Sequence, residues 1–458
     1  MSVSISVSSV EQVKPAVGEK ECLIWDRQHE TMARPELEKL QLKRLQSVVT
    51  RCYNKVPFYR QKMDAFGVRP QDIESLADVS KLPFTTKHDM RDNYPFDMFA
   101  EPMENIIRLH ASSGTTGKPV VVGYTRNDLD NWVELMARTF SAAGVTKADI
   151  VHNSFGYGLF TGGMGFHYGA ERIGATIVPV SGGLTKKQVM LWQDFGATVL
   201  TSTPSYACVL AEQAEESGVK PAIDLKLRIA LFGAEPCTPQ MKADVEKKLN
   251  VEAYDTYGLT EMMGPGVGVE CPYHDGLHIA EDHYLIEIIN PETGEVLPPG
   301  SQGEMVLTSL TKEAFPVLRF RTRDRTQINQ EPCACGRTLA RLQKIVGRTD
   351  DMLIIKGVNV FPSQIESVIL SVPQLEPQYV IVVDRGSNHM DDFEILVECS
   401  EKVHNEGEAA METAKQRLAA EMHQVLGLNA RIKVVPPKTL SRSEGKAKRV
   451  IDLRDMNQ

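Results

Sequence analysis

Between residues 105 and 260 the hydrophobic pattern switches repeatedly between two periods. Short apolar runs at residues 149–152, 176–180, 198–202 and 227–232 are rich in Val, Ile and Leu and predict buried strands. Between them, residues 126–143 and 186–195 carry apolar side chains at helical spacing. This alternation predicts a largely parallel sheet and an α/β fold. Upstream, residues 35–53 set Leu37, Leu40, Leu45, Val48, Val49 and Cys52 near one helical face, with Glu36, Lys39, Lys43 and Arg44 elsewhere. Such a helix packs on the body of its own chain or on a second copy in a homodimer.

The pattern changes twice more. Residues 283–330 alternate as surface strands do and contain the turn Asn290-Pro291-Glu292-Thr293-Gly294, which predicts a smaller antiparallel subdomain ending near Val346. Beyond it, strand patterns at 378–383, 393–398 and 430–435 and a helix pattern at 406–426 form an α+β unit of about 110 residues, a usual domain size. At 458 residues the chain exceeds what one core sustains, so two domains are expected, residues 1–347 with the N-terminal helical segment and residues 348–458.

Composition is that of an ordinary globular protein, 42% hydrophobic and 24% charged. A net charge of −9 supplies no basic field for nucleic acid or anionic membrane, which leaves small molecules as the expected partners. The first 20 residues lack a basic region followed by an apolar core, and no stretch reaches the ~18 apolar residues of a membrane span, so a cytoplasmic location is expected. Eight cysteines in so long a chain make no disulfide framework, and Cys22, Cys52, Cys208, Cys237 and Cys399 stand alone as plain thiols. Cys271-Pro272-Tyr273-His274 and Cys333-Ala334-Cys335 instead offer three thiolates and one imidazole, the donor set of a structural zinc that would staple the antiparallel subdomain. Cys333 and Cys335 are closer together than usual for such sites, and His278 and His283 compete with His274 for the fourth position; reduced buried thiols are the alternative.

The densest chemical signal is Ser112-Ser113-Gly114-Thr115-Thr116-Gly117-Lys118-Pro119, followed by the strand-like Val120-Val121-Val122. Glycines let backbone N–H groups converge on anionic oxygens, hydroxyls add donors and the lysine adds charge, so the loop suits a nucleoside triphosphate. It is not a Walker loop: Ser112 stands where that motif needs glycine and Pro119 where it needs Ser or Thr. A second loop, Tyr254-Asp255-Thr256-Tyr257-Gly258-Leu259-Thr260-Glu261, combines an aromatic face for a purine, a hydroxyl for phosphate and a carboxylate for Mg²⁺.

These two segments, with Gly233-Ala234-Glu235-Pro236, Arg321-Thr322-Arg323-Asp324 and Gly347-Arg348-Thr349-Asp350-Asp351, resemble in order the motifs of adenylate-forming acyl-CoA ligases. Pro57-Phe58-Tyr59-Arg60, Lys356-Gly357-Val358-Asn359-Val360-Phe361-Pro362 and Ser443-Glu444-Gly445-Lys446-Ala447-Lys448-Arg449 resemble the phenylacetate-CoA ligase branch of that family. The resemblance implies that residues 112–119 hold the β- and γ-phosphates of ATP, and that Gly233 and Ala234 help line the acid pocket. It also implies that Glu235 and Pro236 flank the adenine, Asp255 faces its amino group and Tyr257 stacks on it. Thr260 would then meet phosphate, Glu261 would bind Mg²⁺ and Asp324 would accept from the ribose hydroxyls. Arg348 and Asp350 match the hinge about which the small domain turns, at 348–351, and Gly357 the pantetheine path of coenzyme A. Lys446 matches the lysine that contacts the carboxylate and α-phosphate during adenylation; the motif is one residue shorter than in the wider family, so Lys448 remains a substitute. Phe155, Tyr157 and Gly158 match the region lining the acid pocket, whose flat walls suit an aryl acetic acid. The expected activity is ATP-dependent ligation of an aryl acid, phenylacetate first, to coenzyme A. Indoleacetate, benzoate-type acids and carrier-protein loading are alternatives, as is, in another class, a nucleotide-binding regulator without turnover.

Overall fold

In the computed structural model the described residues are 22–112, 118–349, 353–355, 358–360, 362–385, 391–426, 429–443, 447 and 449–453. Ser113, Gly114, Thr115, Thr116, Gly117, Asp350, Gly357, Lys446 and Lys448 lie outside them.

A nine-stranded sheet forms the centre of the large domain, in the order Ile328–Asn329, Arg341–Leu342, Leu277–Ile279, Gly264–Glu270, Glu252–Leu259, Ile229–Phe232, Val199–Ser202, Ile150–Asn153, Thr176–Val178. The last five are parallel, as the alternating pattern predicts. The first five pair antiparallel. Glu252–Leu259 is where the sheet changes character, parallel to Ile229–Phe232 on one side and antiparallel to Gly264–Glu270 on the other. The expected loop at 254–261 is therefore strand as far as Leu259: hydrogen-bonded neighbours on both sides override its polar composition.

Local signals place the helices. Thr125 accepts from the Asp128 N–H while the Asp128 carboxylate accepts from the Thr125 N–H, a reciprocal cap that starts the helix Arg126–Ala142. Fully buried Asp128 also accepts from the backbone N–H groups of Glu313 and Ala314, tying this helix end to the segment after the strand Gly303–Ser309. The N-terminal helix, Arg34–Lys55, buries Leu37, Leu45, Val48, Val49 and Cys52 against its own chain. Gln41 sits in the same stripe because its amide Nε2 donates to the Glu281 carbonyl at 2.8 Å. The apolar face is thus covered within one subunit.

Tyr284–Ile289, Gly303–Ser309, Phe320–Thr326 and Gly347–Arg348 form a separate four-stranded antiparallel sheet. The small unit has its own core around Ile365, Ile369, Ile381, Ile395, Leu418 and Met422. Its sheet runs Arg431–Val435, Asp391–Cys399, Leu375–Arg385, Val450–Asp452, with the helices Pro362–Leu370 and Glu408–Leu426. The helix expected at 406–426 begins at Glu408, because Gly407 adopts φ 92° and separates it from Glu401–Glu406. Among the described residues no helix is long and apolar enough to cross a membrane.

Candidate active site

Open α/β sheets bind ligands beyond the carboxyl ends of their strands, and the predicted residues gather there. Ile150–Asn153 leads into Phe155, Tyr157 and Gly158; Ile229–Phe232 leads into Gly233, Ala234, Glu235 and Pro236; Glu252–Leu259 carries Asp255, Tyr257 and Gly258 and leads into Thr260 and Glu261. Gly233 is where these segments meet. A Cβ on it would come 2.7 Å from Thr256 Oγ1 and 4.0 Å from the Phe155 ring, and the Thr256 hydroxyl is already donating to the Phe232 carbonyl. Ala234 follows with φ 73°, a left-handed backbone that L side chains seldom adopt and that turns the chain sharply out of the sheet. Gly258 is dictated by packing: a Cβ there would lie 2.2 Å from the Gly264 carbonyl oxygen, at the bulge in the pairing with Gly264–Glu270.

Tyr257 and Asp324 come from different sheets and meet in a 2.5 Å hydrogen bond from the phenol to Oδ2. Arg348 holds the other carboxylate oxygen at 3.1 Å. Asp324 is 7% exposed, so the Arg321-Thr322-Arg323-Asp324 run is not a solvated charge cluster but an alternating strand with this carboxylate turned inward. Burial and the Asp324 charge push the Tyr257 phenol well up, which keeps it a donor. Arg348 itself belongs to a strand paired with Phe320–Thr326, so the expected hinge starts on the large domain's sheet.

Glu235 is anchored at both oxygens. Oε1 accepts from the Ser205 N–H at 2.7 Å, in the first turn of the helix Pro204–Glu216, and Oε2 accepts from the Ala447 N–H of the small domain at 3.0 Å. Asp255 is half-buried beside Glu270, which accepts its N–H at 2.9 Å; desolvation first, and the Glu270 charge second, raise its carboxyl well above the usual range. Glu261 is 4% exposed, with Lys87 Nζ 3.3 Å from Oε1. Lys312 Nζ lies 3.3 Å from the Glu261 carbonyl oxygen, between the Tyr124 and Phe315 rings, and burial pushes its ammonium down to about 7. Ser112 and Val120 pair where the 112–119 segment meets its neighbouring strand: the Ser112 N–H donates to the Val120 carbonyl at 2.9 Å, and its Oγ accepts from the Val120 N–H at 3.0 Å. Lys118 is exposed, 5.2 Å from the centre of the Tyr94 ring.

The pocket residues are held from behind. Phe155 stacks on Phe166 with centroids 4.8 Å apart and an interplanar angle of 3°. The Tyr157 hydroxyl accepts from Asn153 Nδ2 at 2.7 Å and sits 3.1 Å from His167 Nδ1. Gly158 has open space where a Cβ would stand. Asn153, Lys87, Lys312 and Ser205 carry no sequence signal of their own, being single polar residues that only the fold brings to the site.

The metal donor set is corrected. His278, not His274, joins Cys271, Cys333 and Cys335; all four are buried and their ligand atoms lie within 4.8 Å of one another. Cys271 and Cys333 Sγ are 3.7 Å apart and Cys335 Sγ is 3.3 Å from His278 Nε2, close to the ~3.8 and ~3.5 Å edges of a zinc tetrahedron. His278 Nδ1 faces the Leu339 carbonyl at 3.3 Å, which leaves Nε2 for the metal. His274 fails because the tight turn after Cys271 swings its ring onto Glu270 and Glu252, each 3.2 Å away. The quartet lies at the antiparallel end of the nine-stranded sheet rather than in the separate four-stranded sheet.

Comparison with known proteins gives the family. The AMP-binding enzyme family matches residues 23–311, and the AMP-binding enzyme C-terminal domain matches residues 357–454. A phenylacetate-coenzyme A ligase of Thermus thermophilus is 47% identical over 446 residues, 94% of this chain and 100% of its own. One of Escherichia coli is 47% identical over 93% of this chain and 97% of its own. Among solved structures, 2-hydroxyisobutyryl-CoA ligase in the postadenylation state aligns with a TM-score of 0.89 at 31% identity, covering 94% of this chain and 93% of that one. The same enzyme in the thioesterification state, with its acyl-AMP and CoA, aligns at 0.70 and 32% identity, covering 97% and 95%.

Proposed function

The chain belongs to the AMP-binding enzymes and, within them, to the phenylacetate-coenzyme A ligases, and from that premise we propose that it joins phenylacetate to coenzyme A at the expense of ATP. It is an acid–thiol ligase working in two steps, acyl-adenylate formation with loss of diphosphate, then thioester formation with loss of AMP. The observation that carries this reading is the meeting of Phe155, Gly233, Tyr257 and Asp324 beyond the carboxyl ends of the parallel strands, beside buried Glu261.

A carboxylate resists thiol attack until one oxygen becomes part of a good leaving group, and the assigned residues serve that end. Tyr257 offers a ring to the adenine and Asp324, held by Tyr257 and Arg348, a carboxylate to the ribose hydroxyls. Asp255, with its raised carboxyl, faces the adenine amino group. Residues 112–118 hold the outer phosphates, and Lys446 meets the charge building on the transferring group. Glu261 offers a carboxylate that suits Mg²⁺, whose charge would neutralise the departing diphosphate, and Thr260 offers a hydroxyl to phosphate. Gly233 and Phe155 give a narrow apolar wall, and the Tyr157 hydroxyl is held from behind, which favours a flat ring over a bulky aliphatic acid. The greater likeness to the postadenylation neighbour supports a small domain in the adenylate-forming pose. ATP and coenzyme A make the cytoplasm its setting. Thioester formation from phenylacetate, its ring-hydroxylated forms, indoleacetate, benzoate and a medium fatty acid tests the reading. Phenylacetate is expected to give the highest kcat/KM; no thioester from any arylacetate would sink it.

A second proposal concerns the quartet Cys271, His278, Cys333 and Cys335, which has the donors, edges and oriented imidazole of a structural zinc site. One zinc per chain is expected in protein purified without a histidine tag, and a zinc-free, fully stable preparation would end the idea.

A further inference from the structure

The helix Pro204–Glu216 ends against its own dipole. Its last turn carries Glu215 and Glu216 and no basic residue, with Glu212 one turn earlier, although the C-terminal end of a helix is its negative pole. What offsets this comes from the small domain. Arg442 donates through Nε to Glu212 at 3.2 Å, and Lys438 pairs with Glu216. Glu212 and Glu216 are one helical turn apart, so both lie on one face.

Arg442 is fixed before it reaches across. Its two terminal nitrogens hold both oxygens of Glu398, at 2.8 and 2.9 Å, and Glu398 is buried within the small domain. Glu398 also accepts from the backbone N–H groups of Lys438 and Leu440, so one buried carboxylate shapes the whole segment that carries both cations. At the other end of the same large-domain helix, Glu235 sits on the first turn through Ser205 and takes the Ala447 N–H. The two ends of one 13-residue helix, about 20 Å long, thus grip the stretch from Lys438 to Ala447, which brackets Lys446.

We propose that this helix is the docking rail of the adenylate-forming pose, with Glu212 and Glu216 as positioning residues that deliver Lys446 to the reaction and release it for thioester formation. The pairs are partly exposed, with Glu212 and Arg442 each 22% accessible and Lys438 57%. Weak, solvent-screened pairs are what a reversible latch needs, since each shifts a balance by only about 1.5- to 5-fold. Glu235 differs from them in belonging to the nucleotide site itself.

The inference rests on the ligase reading, and its test separates the two. Small-angle scattering of the intact chain reports the domain pose without turnover. Glu212→Gln/Glu216→Gln is expected to move the curve away from that calculated for the adenylate-forming pose, and a curve identical to wild type overturns the latch whatever the enzyme's substrate. In turnover, the double variant is expected to lose about 5-fold in phenylacetate-dependent exchange of diphosphate into ATP. Thioester formation from supplied phenylacetyl-adenylate should be unchanged or faster. Equal loss in both half-reactions, or loss in neither, overturns the positioning role. The charge swap Glu216→Lys with Lys438→Glu keeps the pair and should retain more exchange activity than either single reversal; equal activities would count against it.

Discussion

Tyr257→Phe removes one oxygen atom and separates positioning from stacking. The phenol donates at 2.5 Å to Asp324, a carboxylate only 7% exposed, and hydrogen bonds to buried charged groups contribute about 1.5–3 kcal/mol. Arg348 still holds the other oxygen at 3.1 Å, so the lower half of that range, about 1.5–2 kcal/mol, applies. On the proposed roles the ring would remain for the adenine, while the carboxylate that would take the ribose is less fixed. ATP KM in the diphosphate-exchange assay should therefore rise about 10- to 30-fold with kcat within about twofold of wild type, at 1.4 kcal/mol per factor of ten. Because the bond also joins two sheets, the large domain should melt about 3–6 °C lower. Tyr257→Leu, which loses the ring too, should raise ATP KM further. An ATP KM within twofold of wild type together with an unchanged melting temperature for Tyr257→Phe would refute the reasoning.

Three further outcomes follow from individual side chains. His278→Ala should abolish zinc binding by elemental analysis and lower the melting temperature, whereas His274→Ala should leave one zinc per chain; the reverse pattern would restore His274 as the ligand. Gly258→Ala should destabilise the chain by about 1–3 kcal/mol or more in urea melts, because its Cβ would meet backbone atoms of Gly264 and Pro265 that cannot rotate away; stability equal to wild type would mean that the bulge relaxes. Lys312 has its ammonium pushed down to about 7 by burial, against about 10.4 when unfolded, so between those values the unfolded chain binds a proton that the folded chain lacks. It should therefore add up to ~1.4 kcal/mol of stability per pH unit as pH rises from 7 to 10, and Lys312→Met should flatten that slope; parallel curves for the two proteins would contradict it.

The sequence carried the repeating strands and helices because burial on both faces leaves an unbroken apolar run, as at Ile229–Phe232, and a helix start leaves a cap, as at Thr125 and Asp128. Glu252–Leu259 was harder to read. Its Asp, Thr, Tyr and Gly look like a loop because they are chosen for a ligand and a bulge, while the pairing that makes them a strand comes from segments on either side. The same division holds in the site. Residues that would touch the nucleotide sit in motifs and were legible, but those that hold them, such as Asn153 behind Tyr157 and Ser205 beneath Glu235, are ordinary residues brought near by topology. His278 belongs to this second kind: local spacing favoured His274, and only the pairing of Leu277–Ile279 with Arg341–Leu342 brings His278 to the Cys333–Cys335 segment.

That pairing also links the metal quartet to the chemistry. Glu270, the residue before Cys271, accepts the Asp255 N–H and is itself held by Lys242 at 2.5 Å, so the strand bearing Asp255 and Tyr257 leans on a neighbour whose end a metal in the quartet would clamp. The parallel half has less need of such a tie, since helices pack on it and its central strands Val199–Ser202 and Ile229–Phe232 are buried at every residue. The antiparallel half ends in two-residue strands, Ile328–Asn329 and Arg341–Leu342, too short to hold register by hydrogen bonds alone. A tetrahedral zinc held by Cys271, His278, Cys333 and Cys335, as proposed above, would fix what those strands cannot, on the side of Glu252–Leu259 away from the parallel strands.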